Sequence, residues 1–450
     1  MGMNKQSHHI DPSQLWEIHG KYYDLTPFIA RHPGGKRMLL LSKGMDCTEV
    51  FESTHIFDNL PKKMLPKFFV ADNPNYKPTY SWEPDGFYNT LRKRVQVYLT
   101  EQSNLLDGKK KYSFDTHHGS GWFLVRLVLL FIFSWAATWF GIIEGNLYIC
   151  AIWPLIAMSF GGYGHEALHA GLFNSVWKNR AVAFFSMDLL GLSSYVYSVV
   201  HITGHHAHTN VEEVDPDMVA FYPNIRTFPS QKRYFPHRFQ QYYAWPIYFC
   251  SLFFANIMDI ITFITKKWIN IRVERPYFLE FVLFFFFKTA AISILIVLPF
   301  FLHDTSKALT IVLLTTGVTG FLINLTFAVN HKNNEAIDYL TNDKRGNDLT
   351  KYDWGEFQIL TTCNFQHGHW FTDMIFAGLT HQVEHHLFPM ISYQHLPKIS
   401  LIVQETCKDF DIKYNLYPTY FAACKAHFKY LKDLGREPSL ENVESVASSS

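Results

Sequence analysis

Net charge is nearly absent from this 450-residue chain: 40 Lys and Arg offset 39 Asp and Glu, leaving +1. That balance gives no global attraction to nucleic acid or to acidic partners, and no nucleic-acid partner is expected. Cysteine is sparse. The six (Cys47, Cys150, Cys250, Cys363, Cys407, Cys424) are scattered and form no CxxC pair, which excludes a disulfide framework and a cysteine zinc site. The opening MGMNKQSHHIDPSQ is polar and lacks the apolar core of a signal peptide. Gln6 also departs from the Ser or Thr of a myristoylation signal. No internal repeat is evident. The tail after about Glu437 ends in SVASSS and reads as disordered.

What the chain has in quantity is aromatic and apolar sequence: 17% aromatic, with 41 Phe and 24 Tyr. Its length suffices for two or three domains. Apolar runs broken by polar blocks indicate an integral membrane protein. Four segments, 122–143, 146–163, 277–301 and 308–330, have about the 20 residues a helix needs to cross the hydrocarbon. The short turns IIEGN and HDTSK make them two hairpins. The opposite flanks carry Lys109, Lys110, Lys111, Lys178, Arg180, Lys266, Lys267, Arg272 and Arg275, which places that side in the cytosol. Two further apolar stretches, 182–200 and 243–265, are read as helices in the interface or packed beside the spans. Were 182–200 to cross, the histidines that follow it would face away from those at 165 and 169.

Residues 1–75 read as a compact soluble module. WEIHGKYYDL alternates like a hairpin around Gly20, and Thr26-Pro27 reads as the N-cap and first position of a short helix leading into HPGG. Pro33 stiffens that turn, and Gly34-Gly35 lets the backbone pass close to a flat ligand. His32 is thereby fixed. His55 follows between Phe51, Ile56 and Phe57. Two fixed histidines in an apolar pocket can supply both axial ligands of a haem. The bland alternative makes His32 a turn residue and His55 an exposed helical one. Residues 76–118 read as a polar linker containing one amphipathic helix.

Eight more histidines follow the apolar stretches: His165 and His169 in GHEALHA, His201, His205 and His206 in HITGHHAHTN, His331, and His385 and His386 in HQVEHHLFP. Neutral imidazole ligates transition metals. Spacing by four puts His165 with His169, and His201 with His205, on one helix face, while Gln382, His385 and His386 fall at i, i+3, i+4. Eight imidazoles exceed one tetrahedral zinc site and suit two metals with open positions. Nitrogen-rich sites of that kind suit iron that activates O2.

The N-terminal stretch, W-x-I-x-G-x-x-Y-D-L-T-x-F ahead of HPGG with His55 beyond, resembles cytochrome b5. HEALH, HITGHH and QVEHHLFP, with PMISYQHLPKISLIV downstream, extend the resemblance over nearly the full chain. The pattern is similar to front-end membrane fatty acyl desaturases with a fused cytochrome b5 domain. The resemblance implies a small α+β haem domain (1–75), a linker (76–118), an all-α integral membrane desaturase domain with four transmembrane helices and cytosolic histidine boxes (119–437), and a disordered tail (438–450). It implies haem b on His32 and His55. It also implies two non-haem irons on His165, His169, His201, His205, His206, His385 and His386, with Gln382 in or near the shell and His331 as a further ligand. The activity implied is O2-dependent insertion of a cis double bond between an existing one and the carboxyl end of a polyunsaturated chain, carried as a membrane lipid or acyl-CoA. NADH-cytochrome b5 reductase would donate electrons, and the membrane would be that of the endoplasmic reticulum. Many members have two residues, not three, between the first histidine of the second box and the pair. The form seen here, followed by Asp215-Pro216-Asp217, resembles members acting at carbon 5 or carbon 4 of C20–C22 chains.

Neighbouring histidines have plainer readings. His208 reads as surface or supporting, His367 and His369 as a polar loop, and His381 as a neighbour of Gln382 that could substitute for it as a ligand. Glu166 reads either as a carboxylate orienting an imidazole or as a solvated one. A sphingolipid desaturase or acyl hydroxylase shares much of the pattern. A membrane haem electron carrier would need no non-haem iron. A zinc transporter would need polar groups within the bilayer, whereas these histidines end the spans.

Overall fold

The computed structural model describes residues 11–107, 116–269, 271–273, 278–341 and 343–437. The first ten residues, Lys109–Lys111, Arg275 and the tail beyond Glu437 lie outside the described residues.

The N-terminal module is built on a three-stranded antiparallel sheet, Trp16–Ile18, Lys21–Tyr23 and Phe69–Asp72. The first two strands meet through His19-Gly20, both at positive φ (48° and 70°), as a two-residue hairpin turn matching the strand twist requires. Thr26–Arg31 is a 3-10 turn, with Leu25 and not Thr26 at the cap. The reason is local: Asp24 Oδ1 accepts from the Thr26 amide at 3.0 Å, so the turn starts one residue earlier than the Thr-Pro pair suggests. Trp16, Ile18, Tyr23, Leu25, Cys47 and Phe51 form the module's core.

The helix Phe87–Asp107 is more than a connector. Its apolar residues at helical spacing, Phe87, Tyr88, Leu91, Val95 and Leu99, are buried with Trp354, Phe357, Leu387 and Phe388 in a large shared core. Spacing of three and four puts them on one stripe, and that stripe packs beneath the segment carrying His385 and His386.

Among the described residues, five helices are long and apolar enough to cross a membrane: Gly121–Ile143, Leu147–Leu168, Phe235–Thr265, Phe278–Leu302 and Thr305–His331. A sixth apolar stretch is broken into Val176–Leu190 and Ser194–His205, bent by 116°. The histidine clusters constrain which of these helices can cross. His169, His206 and His331 converge, so the ends of Leu147–Leu168 and Thr305–His331 lie on one side with the second cluster. Phe278 starts on that same side, because Phe278–Leu302 and Thr305–His331 form a hairpin. An even number of crossings must therefore separate residues 206 and 278, and one candidate helix lies between them. Phe235–Thr265 thus has the length to cross but packs against the spans: Phe249 meets Gly317, and Ser251 donates to the Gly320 carbonyl at 3.2 Å.

The bend at residues 191–194 is pinned from two neighbouring helices. Lys288 Nζ donates to the Gly191 carbonyl at 2.6 Å and to Asp259 Oδ2 at 2.7 Å. Asp259 Oδ2 accepts from the Ser193 amide at 2.9 Å, and Asp188 Oδ2 from that of Ser194 at 3.2 Å. Gly191, at φ 91°, lies against Asn256. A buried ion pair is thus committed to turning the chain back, and the next helix carries the second histidine cluster.

Candidate metal centre

Four chain segments deliver the histidines to one place. The Leu147–Leu168 helix ends in His165, with His169 at its C-cap. The Val318–His331 helix ends in His331. Gln382–Leu387 carries Gln382, His385 and His386 in two turns. The second cluster departs from the expected α-helical spacing, because Val199–His205 is a π-helical turn in which the His206 amide donates to the His201 carbonyl at 2.9 Å. Wider winding brings residues five apart onto one face. His201 therefore also faces His206, while the expected pairing of His201 with His205 persists as rings stacked at 5.2 Å.

Two groups result. His165, His169, His201, His206 and His385 form one, and His205, His331 and His386 the other, with ligand nitrogens within 4.8 Å of one another in each. Each adjacent pair, His205–His206 and His385–His386, gives one imidazole to each group. Gln382 Nε2 lies 3.2 Å from His331 Nε2 and 3.3 Å from His386 Nε2, so its side-chain amide faces the second group. Sequence and structure thus bring all nine expected residues together.

The chemistry of the donors fits metal. His165 Nε2 and His201 Nε2 are 2.6 Å apart, and His201 Nε2 and His206 Nε2 3.0 Å: several lone-pair nitrogens are aimed at common points. All eight imidazoles are at most 8% exposed. His169 Nε2, His205 Nε2, both nitrogens of His385 and Gln382 Oε1 are buried without a hydrogen-bond partner, an arrangement too costly to leave uncompensated. An amide turned end for end would aim Gln382 Oε1 at the second group. Burial, then neighbouring imidazoles, lower His385 and His386 well below the usual histidine range. Both are therefore neutral, the form that binds metal.

Supporting partners fix the rings. Asp215 Oδ2 accepts from His205 Nδ1 at 2.9 Å, and Tyr393 OH meets His165 Nδ1 at 2.5 Å. His386 Nδ1 lies 2.9 Å from Thr209 Oγ1 and 3.2 Å from Gln358 Oε1. Asp217 Oδ2 stands 3.5 Å from His201 Nδ1. Such contacts set tautomer and orientation. Sequence reasoning gave these residues no role; only the Asp215-Pro216-Asp217 motif carried a visible signal.

The other histidines fall outside both groups. His208 stacks on Tyr80 at 6.2 Å, and His381 on His367 at 4.0 Å. His369 caps the Trp370–Phe376 helix, accepting from Thr372 N. Glu166 is fully buried, which removes the solvated reading, and no hydrogen bond to a clustered imidazole occurs among the described residues.

In the N-terminal module, His32 Nδ1 donates to the Gly35 carbonyl at 3.2 Å and His55 Nδ1 to that of Phe51 at 2.8 Å. Each ring keeps Nε2 free, and the ring centres face each other at 6.2 Å. Burial lowers both histidines, His55 to about 4. Two neutral, oriented imidazoles facing across an apolar slot fit the axial positions of a haem.

A cavity of about 610 Å³ opens beside the five-histidine group. His165, His201 and Gln382 lie at one part of its wall, and Leu190, Val196, Phe254 and Ile323 at others. Size and lining suit a lipid-sized apolar ligand.

Comparison with known proteins gives the family. Residues 145–418 match the family described as fatty acid desaturase. The chain belongs to that family. Residues 4–73 match the cytochrome b5-like haem/steroid binding domain. The chain is 30% identical to an acyl-lipid (8-3)-desaturase of Physcomitrium patens, over 95% of this chain and 90% of that one. It is 29% identical to one from Mortierella alpina, over 97% of both chains. It is 27% identical to a probable Delta(5) fatty acid desaturase of Dictyostelium discoideum, over 95% and 93%. No solved structure matches the chain. This desaturase is thus an oxidoreductase of lipid metabolism and a multi-pass membrane protein with an N-terminal cytochrome b5-like region.

Proposed function

We propose that this desaturase inserts a cis double bond between an existing double bond and the carboxyl end of a polyunsaturated acyl chain, at carbon 5. The observation that carries the reading is the division of eight histidines and Gln382 into two adjacent groups beside an apolar cavity. In this reading His165, His169, His201, His206 and His385 hold one iron, and His205, His331 and His386 with Gln382 hold the other. His32 and His55 hold haem b. The chain divides into haem domain (1–75), linker (76–118), membrane domain (119–437) and tail (438–450).

Two bound irons would supply the O2-dependent oxidation that no side-chain acid or base could perform on an unactivated methylene. The overall change removes two hydrogens from adjacent carbons while O2, two electrons and two protons give two waters. The protein's residues do the rest. Asp215, Tyr393, Thr209 and Gln358 hold the imidazoles in place. The cavity aligns the acyl chain and keeps out water, so that two neighbouring carbons lie beside the group containing His165 and His201. His32 and His55 would hold the haem, and the chemistry it would supply there is single-electron transfer, leaving O2 to the second site. The electron donor is NADH-cytochrome b5 reductase and the membrane that of the endoplasmic reticulum, with haem domain and histidines on the cytosolic side.

Carbon 5 is supported by relatives named Delta(5) and (8-3), and an acyl-lipid substrate by the same names. Expression in yeast fed separately with C18, C20 and C22 polyunsaturated acids tests it, with products located by mass spectrometry and His385→Ala as control. A new bond at carbon 5 of a C20 chain, absent in the control, is expected. A hydroxylated product, or a modified sphingoid base with no new acyl bond, would refute it.

A further inference from the structure

The haem module is held on two faces, by the linker helix beside His55 and by the membrane domain beside His32. On the His55 side, Glu52 Oε2 accepts from Arg92 at 2.6 Å, Asp58 Oδ2 pairs with the same guanidinium at 3.0 Å, and Gln96 donates to the Ile56 carbonyl at 2.6 Å. On the His32 side the contact is made by the residues directly after HPGG. Arg37 reaches across to the bent segment preceding the second cluster. Its Nη2 donates to the carbonyls of Ser194 and Tyr195, each at 3.2 Å, and to Ser198 Oγ. Its guanidinium lies 4.7 Å over the Tyr195 ring. Glu280 Oε1 stands 4.0 Å from Arg37 Nη1 and 2.6 Å from Arg180 Nη2, so one carboxylate serves both cations.

This grip closes the haem-ligand loop onto the turn that follows the first cluster. Gly35, at φ 87°, approaches Val176 so closely that an added Cβ would sit 3.1 Å from Val176 Cγ2. The space left between the two surfaces is about 130 Å³ and is lined by Gly34, Met38, Ala167, Ala170 and Asn179, among others. Ala167 and Ala170 flank His169, a member of the five-histidine group. The His32 loop and the chain of His169 thus face each other across this one small space.

We propose that Arg37 is a positioning residue that locks the His32 loop onto the turn after His169, making this fixed contact the electron entry to the five-histidine group. The module is therefore docked in one pose and does not sample poses on a flexible tether. The inference rests on reading His32 and His55 as haem ligands, and it adds which face is used and what holds it.

Full-length protein in lipid nanodiscs, loaded with haem and iron, tests the proposal with three readouts: the haem absorption band, iron per chain, and the rate at which reduced haem is reoxidised on mixing with oxygen and a C20 polyunsaturated acyl lipid. His385→Ala, which breaks the iron group, sets the zero-transfer rate. Arg37→Ala is expected to keep the haem band and the iron but to slow reoxidation severalfold, because the fixed pose that holds donor and acceptor together is lost. Arg37→Lys, which keeps the charge, is expected to recover most of the rate. Wild-type reoxidation in Arg37→Ala overturns the proposal. So does loss of iron in that variant, because Arg37 would then act by holding the helix of His201. Absence of a haem band in the wild-type chain overturns the haem reading itself, which is a distinguishable result.

Discussion

Asp215→Asn removes one charge and changes almost no volume. The native carboxylate is fully buried. Its Oδ2 accepts from His205 Nδ1 at 2.9 Å and from the Asn210 amide at 2.8 Å, and its Oδ1 accepts from the Asp217 amide at 2.9 Å. All three partners are donors. An asparagine amide has one oxygen, so its NH2 must face at least one of them. A buried donor left unsatisfied costs about 1–3 kcal/mol. Loss of the acceptor on a ligating histidine typically costs about 10- to 100-fold in metal affinity, or about 1.4–2.8 kcal/mol at 1.4 kcal/mol per decade. The two routes agree. Because Asp215 touches His205 and no member of the five-histidine group, the loss should be selective. Titration of the purified protein with an iron chelator, followed by mass-spectrometric metal counting, should show one iron leaving about 10- to 100-fold more readily than in the wild type, while the second is retained. Loss of both irons together, or none, would refute the assignment of His205 to its own group.

Lys288→Met strands the Asp259 carboxylate and unpins the bend at Gly191; removing one partner of a buried pair costs about 3–5 kcal/mol, so the melting temperature in detergent should fall sharply, and Lys288→Met with Asp259→Leu should recover part of it. Gln382→Ala should weaken iron retention while Gln382→His, which offers a nitrogen at the same place, should preserve it, read by iron content after desalting. Glu52 is pulled by burial toward protonation, but His19, Arg92 and Lys62 overcome this and hold its carboxyl at about 2, below the ordinary 4.5. A lowered folded value means that the stabilisation is present above about pH 4.5 and fades as pH falls toward 2, amounting to roughly 3 kcal/mol at order of magnitude. Thermal melts from about pH 5 to about pH 3 should therefore show a steeper loss in the wild type than in Glu52→Gln; parallel curves would contradict it.

How far the site was legible depends on how local each cause is. His165 with His169, and Gln382 with His386, follow from α-helical spacing alone. The second cluster does not, because nothing in HITGHH announces the π-turn that sends His205 and His206 to different groups. Tyr393, Thr209 and Gln358 reach the centre from segments whose own sequence carries no metal signature; only three-dimensional packing reveals them. The Phe87–Asp107 helix looks polar on average, yet its apolar stripe anchors the segment beneath His385. Phe235–Thr265 is long and apolar enough to cross, and the convergence of distant histidines favours the interfacial reading that the sequence suggested. In the haem module, HPGG and His55 were readable as a pair, while the docking role of Arg37 depends on a partner segment about 160 residues away.

The central claim is that two histidine groups hold two irons. Metal analysis with Mössbauer spectroscopy of iron-57-loaded full-length protein tests it most directly, with haem counted from its absorption. The account predicts two non-haem irons per haem in the wild type, with one lost first from His386→Ala and the other from His169→Ala. A single non-haem iron per chain, or zinc in place of iron, would contradict it.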